Sequence, residues 1–341
     1  MKPGPVQMTD FKRRDGDHGA GRRRAWLRFA GVAVLLAAIV LAVVGWYWSR
    51  EPALDRASTT SSTVTGLAIT DAAIHVAYTL LDKPGGYLSN DVTPPGVLLD
   101  NMPNWEFGAL VQLRDLARVL RNDFSRSQTQ SIEDPDLALA EPRFNVDSES
   151  WLFPAAESEY RQGIEFLIRY RSRLLDQNPA DGNFFARADN LREWLAVVEK
   201  RLGNLSQRLS ASLGQRRAGL GLSQDPAAAA AKQEPAEVDV RTSWLEIDDV
   251  FYEARGTAWA LVQFLRAAEQ DFAGVLADKN ANRTLEQVIR ELEDALAPMR
   301  SPIVLNGDRY GIFANHSLVM AGYLSRANAA VINLRELLTR G

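Results

Sequence analysis

The sequence contains no cysteine. Disulfide bonds, thiolate nucleophiles and cysteine ligands for metals are therefore excluded. The part of the chain that follows residue 48 is long enough to be stabilised by hydrophobic burial without covalent cross-links. A cysteine-free region of this size fits a bacterial envelope protein better than a eukaryotic secreted one.

Histidine and familiar catalytic motifs are also scarce. The chain has three histidines, and none is spaced as His-x-x-x-His or Glu-x-x-His. A phosphate-binding loop and a Gly-x-Ser-x-Gly nucleophile motif are absent as well. His316 could act as a general base, but without a partner motif we interpret it as a hydrogen-bonded histidine at a helix start. The sequence predicts no catalytic residue, no metal site and no cofactor.

One stretch lacks charge altogether. Residues Phe29 to Trp48 are twenty uncharged positions, and as a helix they span roughly 30 Å, the thickness of a bilayer core. Trp46, Tyr47 and Trp48 end the run with rings that suit a headgroup boundary. A cleaved signal peptide is the alternative, but its apolar core is about 7–15 residues and needs a small-residue cleavage site. We predict an uncleaved transmembrane anchor at 29–48.

The charges around this anchor predict its orientation. The tail 1–28 has eight Lys or Arg and three Asp, a net charge of 8 − 3 = +5. The positive-inside bias places it in the cytoplasm and the bulk of the chain in the periplasm, on the inner membrane. Because the whole chain carries −4, the part from Phe29 onward carries −4 − 5 = −9. The expected partners are the lipid bilayer and another envelope protein, and not nucleic acid.

Apolar periodicity predicts an all-α domain of about seven helices. Apolar residues recur every three or four positions from 153 to 174 and from 184 to 209, separated by a turn at 178–182. The same spacing runs from 244 to 275 and from 285 to 299. Each pair predicts an antiparallel, coiled-coil-like hairpin. The predicted segments are a spacer 49–66, a first helical half 67–213 with an irregular loop 83–105 and hairpin 151–213, a low-complexity linker 214–241, and a second half 242–341 with hairpin 244–299 and a C-terminal helix 313–338.

The irregular loop between the first two helices is the predicted functional region. It is rich in Pro, Gly, Asn and Asp, yet apolar residues are threaded through it, so we expect it to be ordered. Asn104 is the predicted cap of a helix that begins near Trp105. Ordered loops on rigid scaffolds often bind ligands, and a structural clasp over the helix ends is the alternative. The candidate binding residues are Tyr87, Asn90, Asp91, Asn101, Asn104, Trp105 and Glu106.

Acidic residues suggest one further hypothesis. Glu246, Asp249 and Glu253 lie on one face of a predicted helix, as paired carboxylates for glycoside cleavage could. Acids at a helix start are more often a solvated face that offsets the helix dipole. Trp105 and Tyr87 could stack on sugars, although aromatic residues at helical spacing usually belong to a core.

The loop also carries a family resemblance. The strings at 86–91, 94–96 and 100–108, behind a basic tail and a single anchor, resemble a proteobacterial inner-membrane family known as domain-of-unknown-function family 2333. The resemblance implies an inner-membrane protein that faces the periplasm, and it brings no catalytic residues. We therefore expect a non-enzymatic interaction or structural module. The alternative is a peptidoglycan- or glycan-binding or -hydrolysing enzyme that uses the acids and aromatic rings above.

Overall fold

The computed structural model describes residues 17–54, 64–127, 132–176, 182–211, 215–218, 237–240, 246–299, 301, 303–307 and 312–340. Several sequence predictions lie outside these residues. They concern most of the basic tail, residues 55–63 of the spacer, the turn at 178–181 and most of the linker.

The first helix, α1, covers Asp17–Trp48. Its segment Trp26–Trp48 has a mean hydropathy of 2.6 and is long and apolar enough to cross a membrane. A signal sequence near an N-terminus would have the same properties. The apolar side chains of this segment are largely exposed to solvent, unlike those of a helix that belongs to a protein core.

The rest of the described chain is predominantly helical, which confirms the all-α fold class. Nine α-helices follow α1 in the described residues: α2 Leu67–Asp82, α3 Asn101–Val119, α4 Pro135–Phe144, α5 Ala156–Leu175, α6 Ala188–Ser210, α7 Ile247–Asp271, α8 Ala273–Asp278, α9 Asn282–Ala295 and α10 His316–Thr339. A 3₁₀ turn forms at Gly96–Leu98, and a π-helical turn at Leu120–Phe124 extends α3.

The helices outnumber the sequence-based expectation of about seven for two local reasons. Helix α4 lies within residues 125–150, a polar stretch interrupted by prolines for which the sequence predicts a long connection. Asp134 caps this helix by accepting from the backbone N–H groups of Asp136 and Leu137. Phe272 leaves helical geometry, with φ −106°, and so separates α7 from α8.

The predicted linker 214–241 contains a short β-ladder. Strand β1, Gln215–Ala218, pairs antiparallel with β2, Glu237–Val240, and Gln215 lies opposite Val240. Strands of four residues are too short for alternation of polar and apolar residues to stand out in a sequence.

The first predicted hairpin does not form. Helices α5 and α6 do not pack along each other; α5 packs on α4 and α2, and α6 packs on α10. The α5 face is occupied by Phe144 of α4, whose ring atom Cζ would lie 2.8 Å from a Cβ at Gly163. The α6 side chain of Ser206 donates to the Ala321 carbonyl of α10. In the second predicted hairpin α7 and α9 do pack together, and Arg266 pairs with Glu293 at 2.7 Å.

Helices α3 and α7 run parallel and form the centre of the fold. They approach most closely at two glycines: a Cβ on Gly256 would lie 1.9 Å from the Trp105 carbonyl oxygen, and one on Gly108 would lie 2.0 Å from the Glu253 carbonyl oxygen. The rings of Trp105 and Trp259 meet across this contact at 5.1 Å. Only glycine fits at the two crossing positions, because any side chain would separate the helices.

The bundle has two distinct ends. At the anchor-side end, the last turn of α1 meets the loop before α3: a Cβ on Gly45 would lie 3.6 Å from Pro95, and one on Gly85 would lie 2.8 Å from the Trp48 ring. At the far end, Asp271 of α7 accepts from the backbone N–H groups of Gly66 and Ile69, both at 2.8 Å. This carboxylate therefore caps α2 from another helix.

The start of the predicted spacer 49–66 packs on the domain. Glu51 forms an ion pair with Arg255 of α7 at 2.6 Å, and the Trp259 indole N–H donates to the Ala53 carbonyl at 3.2 Å. Arg255 is buried. The described residues after α1 thus attach the domain to the anchor.

Candidate functional site

The irregular loop is organised around the buried carboxylate of Glu106. This side chain is fully buried and forms an ion pair with Lys83, the residue that follows α2. Its oxygens also accept from the backbone N–H groups of Leu88 at 2.9 Å and Ser89 at 2.8 Å, and from the Ser89 hydroxyl at 2.5 Å. Burial lowers the pKa of the Lys83 ammonium, and the attraction to Glu106 opposes that shift. Glu106 therefore holds the loop in place.

The two aromatic candidates belong to the core. Trp105 is fully buried, and Tyr87 is 6% exposed, with its ring edge-on to Tyr160 at 5.5 Å. Burial raises the pKa of the Tyr87 phenol. Neither ring offers an open face on which a sugar could stack, so the core interpretation describes both residues.

None of the four Asn and Asp candidates is fully exposed. Asn90 is buried, and its amide donates to the Ser150 carbonyl at 2.9 Å and to Glu157 at 2.7 Å. Asp91 accepts from the Thr93 backbone N–H at 3.1 Å. The two Asn90 contacts join the irregular loop to α5 and to the loop that precedes α5.

The start of α3 also differs from the sequence prediction. The helix begins at Asn101 rather than near Trp105, and Asp100 caps it by accepting from the Asn101 backbone N–H at 2.9 Å. Asn104 lies inside the first turn, where its amide donates to Asp249 of α7 at 2.6 Å. Pro103 does not delay the helix, because a first-turn proline loses no intrahelical hydrogen bond.

The structure brings the seven candidates together at the anchor-side end, but mainly as parts of a clasp. Tyr87, Trp105 and Glu106 point into the core, and Asn90 and Asn104 link the loop to other elements. Asp91 and Asn101 are half-buried at the surface. Ligand binding by this loop stays a prediction, and its exposed residues are Val92, Thr93, Pro94, Val97, Leu98 and Asp100.

The acidic face on α7 is likewise used in contacts within the fold. Glu253 pairs with Arg208 of α6 at 2.7 Å, and Asp249 receives the amide of Asn104. The pKa of Asp249 is raised, first by burial and then by the charges of Asp248 and Asp100. Among the described residues, no group of three or more His, Asp or Glu side chains is placed to hold a metal ion.

A pocket of about 260 Å³ lies between α7, α9 and α10, and sequence reasoning missed it. His316 at its edge accepts from the Leu305 backbone N–H at 3.0 Å through Nδ1, as expected for a hydrogen-bonded histidine at a helix start. Arg255 borders the pocket and donates to the carbonyls of Ala295 and Ala297, at 3.2 Å each, besides pairing with Glu51. The apolar lining consists of Phe251, Ala295, Ala297, Pro298, Met299, Val319, Met320 and Tyr323.

No local signal could have located this pocket. Its walls come from three helices that are separated along the chain, and each apolar residue fits the periodicity of its own helix. What forms the cavity is the packing of α9 and α10 around the start of α7. Val319, which lines the pocket, is exposed, and so are Ile303 and Phe313 in the segment that leads into α10.

Comparison with known protein families identifies the chain. A family model described as "Uncharacterized protein conserved in bacteria (DUF2333)" matches residues 21–341, so the chain belongs to this family. Searches of curated proteins and of solved structures returned no match.

Proposed function

We propose that this member of the DUF2333 family is a single-pass inner-membrane protein whose helical domain lies in the periplasm. In this proposal the domain is not a catalyst. It is a structural or interaction module that contacts another envelope protein. The observation that carries the proposal is the attachment of the domain to the end of an apolar helix.

The anchor has the energy to insert. Ten of the residues 29–48 are Phe, Leu, Ile or Val, and at roughly −0.3 to −0.6 kcal/mol each they favour insertion by about 3–6 kcal/mol. The ion pair of the buried Arg255 with Glu51, and the contact of Trp48 with Gly85, attach the domain to the point where this helix leaves the membrane. Such an attachment suits a protein that presents one face at a fixed height above the bilayer.

The use of the candidate chemical groups supports a non-catalytic role. Glu106, Asp249 and Glu253 are each engaged by a side chain of another element: Lys83, Asn104 and Arg208. Reactive carboxylates in a hydrolase need free space beside them for a substrate, and these three are occupied in holding helices together.

The pocket beside α10 is the contact that we assign to the partner. It is lined mainly by apolar and aromatic side chains, which suits an inserted apolar side chain of another protein. Because Arg255 borders it and also pairs with Glu51, the pocket lies near the membrane. The partner is therefore expected to carry an apolar segment close to its own membrane anchor.

Site-directed crosslinking tests this proposal. The chain has no cysteine, so a single Val319→Cys substitution gives one attachment point for a benzophenone–maleimide crosslinker in isolated membranes. Ile332→Cys on the same helix α10, partly exposed at 38%, is the matched control. We expect one discrete adduct with another membrane protein from position 319 and none from position 332. Equal patterns from both positions, or hydrolysis of peptidoglycan fragments by the purified chain, would contradict the proposal.

A further inference from the structure

Exposed apolar residues gather at one end of the domain. Outside α1, the large apolar residues that are at least half exposed in the described chain are Val92, Val97, Leu98, Ile132, Trp151, Phe153, Ile303, Ile312, Phe313 and Val319. All of them except Ile132 lie at the anchor-side end. The last four belong to the pocket region or to the segment that leads into α10. The remaining five at the anchor-side end, Val92, Val97, Leu98, Trp151 and Phe153, lie on two loops that the partner proposal does not use.

These two loops are continuous with the anchor. The first loop covers residues 91–99, and its Pro95 and Leu99 side chains contact the anchor at Gly45. A Cβ added to Gly45 would lie 3.6 Å from Pro95 and 3.7 Å from Leu99. Gly45 lies three residues before the end of the apolar span, or about 4.5 Å below Trp48 along the helix. The first loop therefore reaches the level of the headgroup boundary whenever the anchor spans a bilayer.

The second loop, 151–154, is held beside the first. The buried amide of Asn90 donates to the Ser150 carbonyl, the residue that precedes this loop. Phe153 is 91% exposed, and Leu98 on the first loop is 73% exposed. Apolar rings and aliphatic side chains of this kind insert at the boundary between headgroups and acyl chains.

The charges around the two loops point to apolar insertion and not to electrostatic attraction. The sequence has no Lys or Arg from 84 to 113 or from 144 to 160, whereas Asp91, Asp100, Asp147 and Glu149 lie in these ranges. Proteins that bind anionic lipid by charge carry clusters of Lys and Arg instead.

We propose that loops 91–99 and 151–154 insert their apolar side chains into the periplasmic leaflet of the same bilayer that the anchor crosses. The domain thus rests end-on against the membrane instead of hanging from a free tether. This inference rests on the proposed anchor. The contact is expected to persist at high salt and in zwitterionic lipid, since no basic side chain takes part.

Depth-dependent quenching of a fluorescent label tests the inference on the full chain. Single Leu98→Cys and Phe153→Cys variants carry an environment-sensitive dye in phosphatidylcholine vesicles, with and without lipids that bear a doxyl spin label near the headgroup or deep in the acyl chain. Ile132→Cys, 94% exposed at the far end, is the control outside the membrane, and Val40→Cys in α1 reports on the anchor. We expect quenching of about twofold or more at 98, 153 and 40, unchanged by added salt, and none at 132.

The outcomes separate the inference from the proposed function. Quenching at 40 without quenching at 98 and 153 would overturn the end-on contact while leaving the anchor in place. No quenching at 40 would overturn the anchor and the inference with it. Quenching at 132 as strong as at 98 would also overturn the inference, because the domain would then lie on its side.

A second variant checks that the loops act by insertion. Val97→Asp with Leu98→Asp changes only exposed positions, so the fold should remain, which circular dichroism can verify. With the dye at Phe153→Cys, the double substitution should reduce the quenching at least about twofold. Unchanged quenching would contradict the insertion of the first loop.

Discussion

Replacing Glu106 tests how the irregular loop is held. In Glu106→Gln the Lys83 ammonium, whose side chain is 1% exposed, loses its counter-charge. The new amide nitrogen would also face a backbone N–H of Leu88 or Ser89, where the carboxylate now accepts. Breaking a buried ion pair from one side typically costs about 3–5 kcal/mol. A loss of this size is a large part of the roughly 5–15 kcal/mol that stabilises a domain.

The converse substitution should cost less. In Lys83→Met the Glu106 carboxylate keeps its hydrogen bonds from the backbone N–H groups of Leu88 and Ser89 and from the Ser89 hydroxyl. We expect a loss of about 1–3 kcal/mol, within the range for hydrogen bonds to a buried charge. Glu286→Gln, which removes the partner of Arg290 in an exposed pair, is the control and should cost less than about 0.5 kcal/mol.

Urea unfolding of the purified chain in detergent, followed by tryptophan fluorescence, measures these differences. Amide hydrogen exchange across residues 85–100 locates them. We expect Glu106→Gln to speed exchange in this loop more than Lys83→Met does. A Glu106→Gln variant within about 1 kcal/mol of the wild type, with unchanged exchange, would refute the clasp and favour the interpretation of the loop as a binding surface.

Three further predictions concern the helix crossing, the far end and the tail. Gly256→Ala should destabilise the domain by about 3 kcal/mol, because its Cβ would lie 1.9 Å from a carbonyl oxygen of α3. Gly274→Ala is the control and should be neutral or stabilising, because a Cβ there has nothing within 4 Å. Thermal unfolding of the two variants compares them. Burial raises the pKa of Asp271 from 3.8 to about 6, so this pKa is higher in the folded protein than in the unfolded chain. Protonated Asp271 therefore adds up to about 3 kcal/mol to the free energy of unfolding below about pH 4, and this contribution is lost as the pH rises through about 6. Urea unfolding from pH 4 to 7 should show this fall in the wild type and not in Asp271→Asn, and equal pH profiles would contradict it. Neutral replacements of basic residues in the tail should scramble the membrane topology, which compartment-specific reporters at the C-terminus measure. The residues to replace are Arg22, Arg23, Arg24 and Arg28.

The sequence predicted burial well and pairing poorly. The apolar seam of α6 is buried as expected, with Leu195, Leu202 and Leu209 in the core, but α10 covers it and not α5. An apolar stripe along a helix indicates that this face is buried, but it does not indicate which part of the chain covers it. Only the second predicted pair, α7 with α9, packs together.

The loop shows the same limit at the level of single residues. Its order was predictable from the apolar residues threaded through it, since those must pack somewhere. The burial of Glu106 was not predictable, because its partner Lys83 lies on the other side of the loop and nothing in the spacing links the two. From the sequence, Trp105 could be a surface platform for a sugar or a part of the core. The crossing of α3 and α7 at Gly108 and Gly256 places it in the core.

The most direct test of the account is the compartment of the domain. Ile132→Cys places one thiol on an otherwise cysteine-free chain, at a position that is 94% exposed at the far end. A membrane-impermeant maleimide, added to cells whose outer membrane alone has been permeabilised, should label this thiol at once. A cysteine at Met8 in the basic tail should react only after the inner membrane is broken. Labelling of Met8→Cys but not Ile132→Cys in such cells would reverse the topology and contradict the account.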